Sequence, residues 1–453
     1  EHMETLLRMA EEGWRDQGKL SLIGLVPALR AMSAWKSEAF PHAVELAQQA
    51  LAMLPKNGQE HRIQMLRGVC LFIVGIGHMY RGQFGEARLL LLEAYACSLV
   101  DGDRHFTRSM LLLVGVCSYA LDELHMAYEY YQQALSDASR QEDCEVTAQA
   151  LLGLARISFE WNQLEAAEQQ TRDALASYQE QDLSDSGAFQ LALLSYARGQ
   201  ITSAGQQLSA LLARLQVSST LQAVQRLPDV LVWQARLFLE AGDLQNAERA
   251  VETLDIEEHT AARIFQARLL LAQNKPHDAQ LWLERLLPVV QEQRRNALEI
   301  QVLLALAHAA CQHAQQARKC LRQAISQARS EGFVRIFLSE GEPLARLLRQ
   351  LVSAIQEPEL RSYAQAILRA FTLPDGEKTP LTTSSNDNLF EPLSTQERRV
   401  LQLLAAGRTN PEIARELVVS VNTVKGHVKH IYRKLGVNTR LQACEAARHL
   451  QIF

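Results

Sequence analysis

Arg81-Gly82-Gln83-Phe84-Gly85-Glu86-Ala87 reads as a tight turn followed by a small residue, and the chain repeats it. The same design returns as Leu121–Ala127 (LDELHMA), Trp161–Ala167 (WNQLEAA), Arg198–Ala204 (RGQITSA), Ala241–Ala247 (AGDLQNA) and Gln273–Ala279 (QNKPHDA). Weaker copies end at Ala43 and Ala317, and the spacing of about 32 to 44 residues centres near 40. Each turn is flanked by helical patterns of about 15–18 residues: Leu111–Leu121 leads into one turn and Met126–Ala138 leads out of it. The closing Ala has a physical role, because two antiparallel helices approach closely just past their connection and only a small side chain permits that. One such pair cannot bury its apolar face alone, so neighbours stack and bury it together as a solenoid.

Composition agrees. Leu, Ala, Gln, Glu and Arg, all strong helix formers, dominate the 453 residues, with only 22 Gly and 12 Pro. Stretches of Val, Ile and Thr alternating at period two are missing, so the chain is expected to be all-α. Apolar residues at 47% and charged residues at 21% suit a globular protein with a long core. These two-helix repeats resemble tetratricopeptide repeats, with longer helices than the usual period of about 34 residues allows. Eight or so copies are expected between about Leu20 and Ser330, curling into a superhelix with a groove. Gly332–Leu348 (GFVRIFLSEGEPLARLL) breaks the rhythm, and helices over Pro343–Val352 and Pro358–Phe371 close the array as a cap. The expected organisation is a helical-repeat sensor or regulatory domain over 1–372, a polar flexible linker over 373–392, and a small four-helix domain over 393–453.

That last domain has sharp local signals. Ser394 and Glu397 form a capping box that opens a helix at Thr395, which stops at Gly407. Thr409, Asn410 and Pro411 open the next helix, with Pro at the first helical position, and Ile413, Ala414 and Leu417 give it an apolar face. Ser420 caps a third helix over about Val421–Leu435, in which Val424, Val428, Ile431 and Leu435 form one buried stripe. Asn422, Lys425, Lys429, Tyr432 and Arg433 fall on other faces, and Gly426 would let backbone approach a duplex closely. A helix of this size fits the major groove of B-DNA. Residues 391–453 hold 10 Lys and Arg against 5 Asp and Glu, a net of +5 in a chain whose total is −5. A basic piece joined to an acidic one is the charge pattern of a nucleic-acid-binding domain on a non-binding partner.

Leu393, Ser394, Glu397, Gly407, Thr409, Asn410, Glu412, Ile413, Ala414, Leu417, Ser420, Thr423, Val424, Lys425, His427, Lys434, Leu435, Val437, Arg440 and Ala443 match the pattern of the LuxR/NarL-type helix-turn-helix, which this region resembles. The resemblance implies that the helix from Val421 enters the major groove and that Lys425 and Lys429 contact DNA. It also implies that a last helix, with Leu441, Cys444 and Ala447, pairs protomers. The candidate DNA-contacting set is Thr409, Asn410, Ser420, Val421, Asn422, Thr423, Lys425, Gly426, Lys429 and Arg433. Gly426 departs from relatives that carry a larger side chain there, which bears on base preference. With Phe333–Pro343 (FVRIFLSEGEP), the whole chain resembles the C-terminal part of MalT-type regulators, the large ATP-binding group of the LuxR family. In that group an ATPase comes first, then an inducer-binding helical-repeat domain, then the DNA-binding domain.

The expected function is therefore a cytoplasmic transcription regulator, in the first place an activator. Its expected partners are double-stranded DNA, a second copy of itself and RNA polymerase, with a small-molecule inducer or a regulatory protein as the signal. The alternative is a repeat scaffold for a protein or peptide, with the DNA-binding domain as its output. No enzyme and no cofactor are expected in this chain; ATP enters only with a domain upstream. Gly13–Leu20 (GWRDQGKL) approaches a phosphate-binding loop but lacks its closing Ser or Thr and a preceding strand. Seven scattered Cys read as free thiols in a reducing compartment. His308, Cys311 and His313, like His427 and His430, lack a second ligand pair at zinc spacing, so no metal site is expected. No apolar run near 18 residues is apparent, and no membrane contact is expected. Trp161 and Trp233 are candidate ligand-groove residues on first helices, set against inter-repeat packing as their ordinary use.

Overall fold

The computed structural model describes all residues except 1, 17–19, 56–60, 102–103, 141–142, 179, 219, 257, 291–292, 372–394, 406–407, 418 and 435–453. The regular elements among the described residues are helices. After α1 (His2–Asp16) and α2 (Leu20–Ile23) come eight pairs: α3 (Leu25–Lys36) with α4 (Phe40–Met53), α5 (His61–Tyr80) with α6 (Phe84–Asp101), α7 (Arg104–Ala120) with α8 (Leu124–Ser139), and α9 (Cys144–Glu160) with α10 (Leu164–Ser177). Then follow α11 (Gln181–Ala197) with α12 (Ile201–Val217), α13 (Leu221–Glu240) with α14 (Leu244–Val251), α15 (Thr260–Ala272) with α16 (Pro276–Leu286), and α17 (Arg294–Ala310) with α18 (Ala314–Ala328). The chain continues through α19 (Arg335–Leu338), α20 (Gly341–Val352), α21 (Pro358–Ala370), α22 (Thr395–Ala405), α23 (Asn410–Leu417) and α24 (Val421–Lys434). Residues 1–118 together with 381–453 make one compact unit and residues 119–380 the other. The linker expected over 373–392 lies outside the described residues.

The turn inside each pair has three residues, and its middle residue is left-handed: Glu38, Gly82, Asp122, Asn162, Gly199, Gly242, Asn274 and Gln312, with φ between 58° and 78°. At Gly199 the N–H donates to the Tyr196 carbonyl (2.9 Å), and the Gln200 N–H donates to the Ser195 carbonyl (2.9 Å). Those paired bonds tie off the ending helix and reverse the chain. Gly enters this conformation freely, and Asn and Asp tolerate it, so the loose sequence pattern at the turns has one conformational cause. The alanine after each turn does what its spacing predicts. Ala43, Ala87, Ala127, Ala167, Ala204, Ala247, Ala279 and Ala317 are all wholly buried.

In the unit of residues 119–380, consecutive first helices α9, α11, α13, α15 and α17 pack side by side. Each second helix packs on its own first helix and on the next one. First helices therefore line the inside of the curve. The curve closes tightly. Arg295, at the start of α17, reaches Glu160 at the end of α9 (Nε to Oε1, 2.9 Å) and gives its backbone N–H to Asp122 (2.8 Å).

Residues 331–340 do more than break the rhythm. Trp161 donates its indole N–H to the Glu331 carbonyl (2.9 Å), and the Val334 N–H donates to the Glu160 carbonyl (3.0 Å). Arg236 donates to the Ser339 carbonyl (2.6 Å) and pairs with Glu340 (3.0 Å), which Arg268 also holds (2.6 Å). Phe333 and Phe337 are wholly buried. The segment is a strap across the inner face, tying α9, α13 and α15 together. Beyond it α20 packs on α17 and α18, and α21 on α18 and α20, as the expected cap.

One expectation needs correction. Arg62–Tyr80, within α5, is an apolar run of 19 residues with mean hydropathy 1.4, long and apolar enough to cross a membrane by composition. Its Leu66, Cys70, Ile73 and Val74 are buried in a cluster with Ala43, Leu46 and Ala47 of α4, which is why the helix is so apolar: it is packed by neighbours on more than one side.

Candidate nucleic-acid interface

α22, α23 and α24 pack around Val400, Leu401, Leu404, Ile413, Ala414, Val424 and Ile431. Local chemistry sets each start. The Thr409 backbone N–H (2.7 Å) and hydroxyl (2.8 Å) both donate to the Glu412 carboxylate. Those bonds, the backbone one first, hold the Glu412 carboxyl below its ordinary value. Thr409 thus stands at the cap position, and Glu412, three residues on, takes its backbone N–H, the reverse half of a capping box; Pro411 stands at the second helical position, one residue later than expected. Ser420 caps α24 by accepting the Thr423 N–H (3.0 Å) and shares a hydroxyl bond with Thr423 (2.8 Å).

α24 holds 14 residues, about 21 Å of helix. Val424 and Ile431 are wholly buried and Val428 half-buried, as their spacing predicts. His427 joins them at 4% exposed, which makes it a residue of the fold. On the opposite side Lys425, Gly426 and Lys429 are exposed, and Val421 is exposed at the start of the helix. Among the described residues no acidic side chain pairs with either lysine. A Cβ built on Gly426 would meet nothing within 4 Å, so the helix presents a cationic, open face there. Thr409 is also exposed, and Asn410, Ser420 and Thr423 are half-buried at the helix starts. The side chains of Asn422 and Arg433 lie outside the described residues, as do Leu441, Cys444 and Ala447. An exposed cationic stripe on a helix anchored by its other side can meet phosphates and reach into a major groove.

Inside the array the charges are spent on one another. Arg268 pairs with Glu299 (2.6 Å) and Glu340 (2.6 Å), and Arg295 with Glu160 (2.9 Å) and Glu299 (3.2 Å). Burial pushes the Glu299 carboxyl up, but Arg268 and Arg295 outweigh it and hold it at about 2. The two ligand-groove candidates also meet internal partners. Trp161 caps the end of α9, with His125 and Tyr128 beside its ring (centroids 5.2 Å each) and Gly332 against its edge. Trp233 packs edge-on against Tyr196 (5.2 Å) with the Arg236 guanidinium over its face (5.1 Å).

Residues 24–354 match the family described as the MalT-like TPR region. The chain belongs to that family. Residues 391–447 match the bacterial regulatory proteins of the luxR family, the stretch that holds α22 to α24. The chain is 28% identical, over 99% of its length, to the HTH-type transcriptional regulator MalT of Serratia proteamaculans, of which the match covers 52%. Against the regulator of the same name from Yersinia enterocolitica it is 26% identical over the same shares. The chain thus spans about half the length of the curated relatives it matches. Among solved structures, the apo form of the quorum sensor NprR from B. thuringiensis shares the fold at a TM-score of 0.50 and 12% identity, over 72% of this chain and 94% of that one.

Proposed function

We propose that this chain is a DNA-binding transcription regulator whose helical-repeat array controls a luxR-type helix-turn-helix. The observation that carries the reading is α24: a capped helix, buried along one stripe, with Lys425, Gly426 and Lys429 open on the other. In this reading α24 lies in the major groove, the two lysines neutralise phosphates, and the capped starts of α23 and α24 face the backbone. Self-association through Leu441, Cys444 and Ala447, contact with RNA polymerase and a cytoplasmic location belong to the same proposal. It assigns the chain no catalytic step and no cofactor. The array acts by population shift: a signal that binds one arrangement of the curl better than another changes how often the DNA-binding domain is free to pair and bind.

DNA binding measured across a salt series tests the first half. Lys425→Ala and Lys429→Ala should each weaken binding, and loss of a phosphate contact should lower the salt slope by about one unit. Both variants binding as tightly as the parent at every salt concentration would sink the placement of α24. Deleting residues 24–354 tests the second half: transcription from a responsive promoter that stays regulated without the array would remove its control role.

A further inference from the structure

A solenoid needs contact only between neighbouring repeats. In residues 119–380, however, the eighth helix pair and the segment after it also meet the third and fourth pairs. Two carboxylates cross between these edges in opposite directions. Asp122, in the turn before α8, accepts the backbone N–H of Arg295 in the first turn of α17 (2.8 Å), 173 residues away. Glu331, after α18, accepts the backbone N–H of His125 in the first turn of α8 (3.3 Å), 206 residues away. The first N–H groups of a helix have no acceptor within it, and a carboxylate there also meets the positive end of the helix dipole. Gln293, at the cap position of α17, makes no cap bond of its own. Each edge of the curl thus supplies a cap that a helix on the other edge uses.

Further bonds cross the same seam. Arg295 pairs with Glu160 (2.9 Å), Trp161 donates to the Glu331 carbonyl (2.9 Å), the Val334 N–H donates to the Glu160 carbonyl (3.0 Å), and Arg335 donates to the Asn162 side chain (3.1 Å). These are polar bonds, and water can replace each of them when the edges part. Among the described residues α9 does not pack along α17 as it packs along α11, and the Arg295 side chain is 35% exposed. The seam is therefore narrow and water reaches it. Neighbouring pairs, by contrast, share continuous apolar clusters, such as Ala192, Leu208, Leu211 and Val230 of α11, α12 and α13. Glu340 holds the far end of the strap to α13 and α15 through Arg236 and Arg268, so an opening at the seam frees α9 and leaves the strap on the later repeats.

We infer that the curl opens at this seam as one unit, with the packing between neighbouring pairs intact, and that the closed and open curls are the two arrangements between which a signal selects. This rests on the reading of the array as a control element and names the joint at which it switches.

Hydrogen exchange of the full chain, resolved to single amides by mass spectrometry with electron-transfer fragmentation, tests it. In the parent, the amides of His125, Arg295 and Val334 should exchange together and faster than those of Leu231 and Ala235 in the core of α13, because a local opening needs less free energy than unfolding. Asp122→Gly removes one crossing carboxylate at a left-handed position where other turns carry Gly82, Gly199 and Gly242, so the turn keeps its shape. It should speed exchange at His125 and Val334 by about tenfold, the loss of one hydrogen bond to a charged group, although Asp122 holds neither amide. Glu331→Ala should do the same at Arg295. Leu231 and Ala235 should keep the parent rate in both variants. Acceleration confined to the amide that lost its own acceptor would make the bonds independent and overturn the inference. Equal acceleration in the core of α13 would mean a general loss of stability and overturn it too, as would parent seam amides that exchange as slowly as that core. The control role of the array is read separately, by the deletion of residues 24–354 described above.

Discussion

Gly153 and Gly426 both sit inside helices, and for opposite reasons. At Gly153 in α9 an added Cβ would lie 2.5 Å from the Tyr131 ring of α8; at Gly426 in α24 it would meet nothing within 4 Å. The first glycine is absent side chain filled by a neighbour, the second is absent side chain left open. Charges divide the same way. Arg236, Arg268 and Arg295 in the array each grip carboxylates, whereas Lys425 and Lys429 of α24 are exposed and hold none among the described residues. The array directs its residue choices inward, to fix a curvature, and the helix-turn-helix directs them outward, toward something that is not part of the chain.

The strongest way to break this contrast is at Glu340, which sits between Arg236 and Arg268 with all three side chains under 10% exposed. Burial pushes the Glu340 carboxyl up, but Arg268 and Arg236 prevail and hold it below its ordinary value. Glu340→Ala leaves the buried Arg236 without a carboxylate and Arg268 with Glu299 alone, and removing one partner of such a set destabilises by about 3–5 kcal/mol. The midpoint of urea unfolding of the array should fall sharply; a change within error would mean that the strap is held without these ion pairs, by Phe333, Phe337 and the bonds to its backbone. The same linkage has a pH sign. Glu299 and Glu340 are both held below their unfolded values, so their stabilisation is present above the ordinary carboxylate range and is lost as the pH falls through it toward about 2, the value for Glu299.

Next in size is Gly153→Ala. The new methyl must displace the Tyr131 ring, itself 2% exposed, and overpacking of this kind costs about 1–3 kcal/mol against a helix-propensity gain of about 1 kcal/mol. A lower melting temperature is expected, and recovery in the double variant Gly153→Ala, Tyr131→Leu would locate the clash. Ser420→Ala should be milder. It removes the cap of α24 and should cost about 1 kcal/mol, read as earlier melting of the DNA-binding domain.

How far sequence alone reaches differs between the two regions for a physical reason. The helix-turn-helix is written in local contacts. Ser420 meets Thr423 and Thr409 meets Glu412, each three residues away, so caps and stripes show in the order of residues. The repeat is also legible, because one steric demand recurs eight times and each time selects Ala. The strap is not. Its bonds join residues 103 apart at Arg236 and Ser339 and 206 apart at His125 and Glu331, and nothing local marks which distant carboxylate a given arginine meets. A hint exists only in hindsight of burial: Arg236 stands between buried Ala235 and Leu237, and Arg268 between buried Ala267 and Leu269. Trp161 shows the same limit, since its type suggests stacking on a ligand while its partner turns out to be the Glu331 carbonyl.

Gly426→Ala is the smallest expected change in stability and the sharpest use of the comparison. The position is exposed and unobstructed, so alanine should stabilise α24 by up to about 1 kcal/mol through helix propensity, the reverse of the effect at Gly153. If α24 meets DNA with this face, the same methyl stands between backbone and duplex and should lower affinity. Stability and binding then move in opposite directions in one variant. Melting of the free protein and titration with DNA at fixed salt read the two separately. Higher stability with unchanged affinity would turn the Gly426 face away from the duplex and shift the contact to another side of α24. Higher stability with weaker binding would show that the open glycine is kept for its absent side chain, at the expense of the helix that carries it.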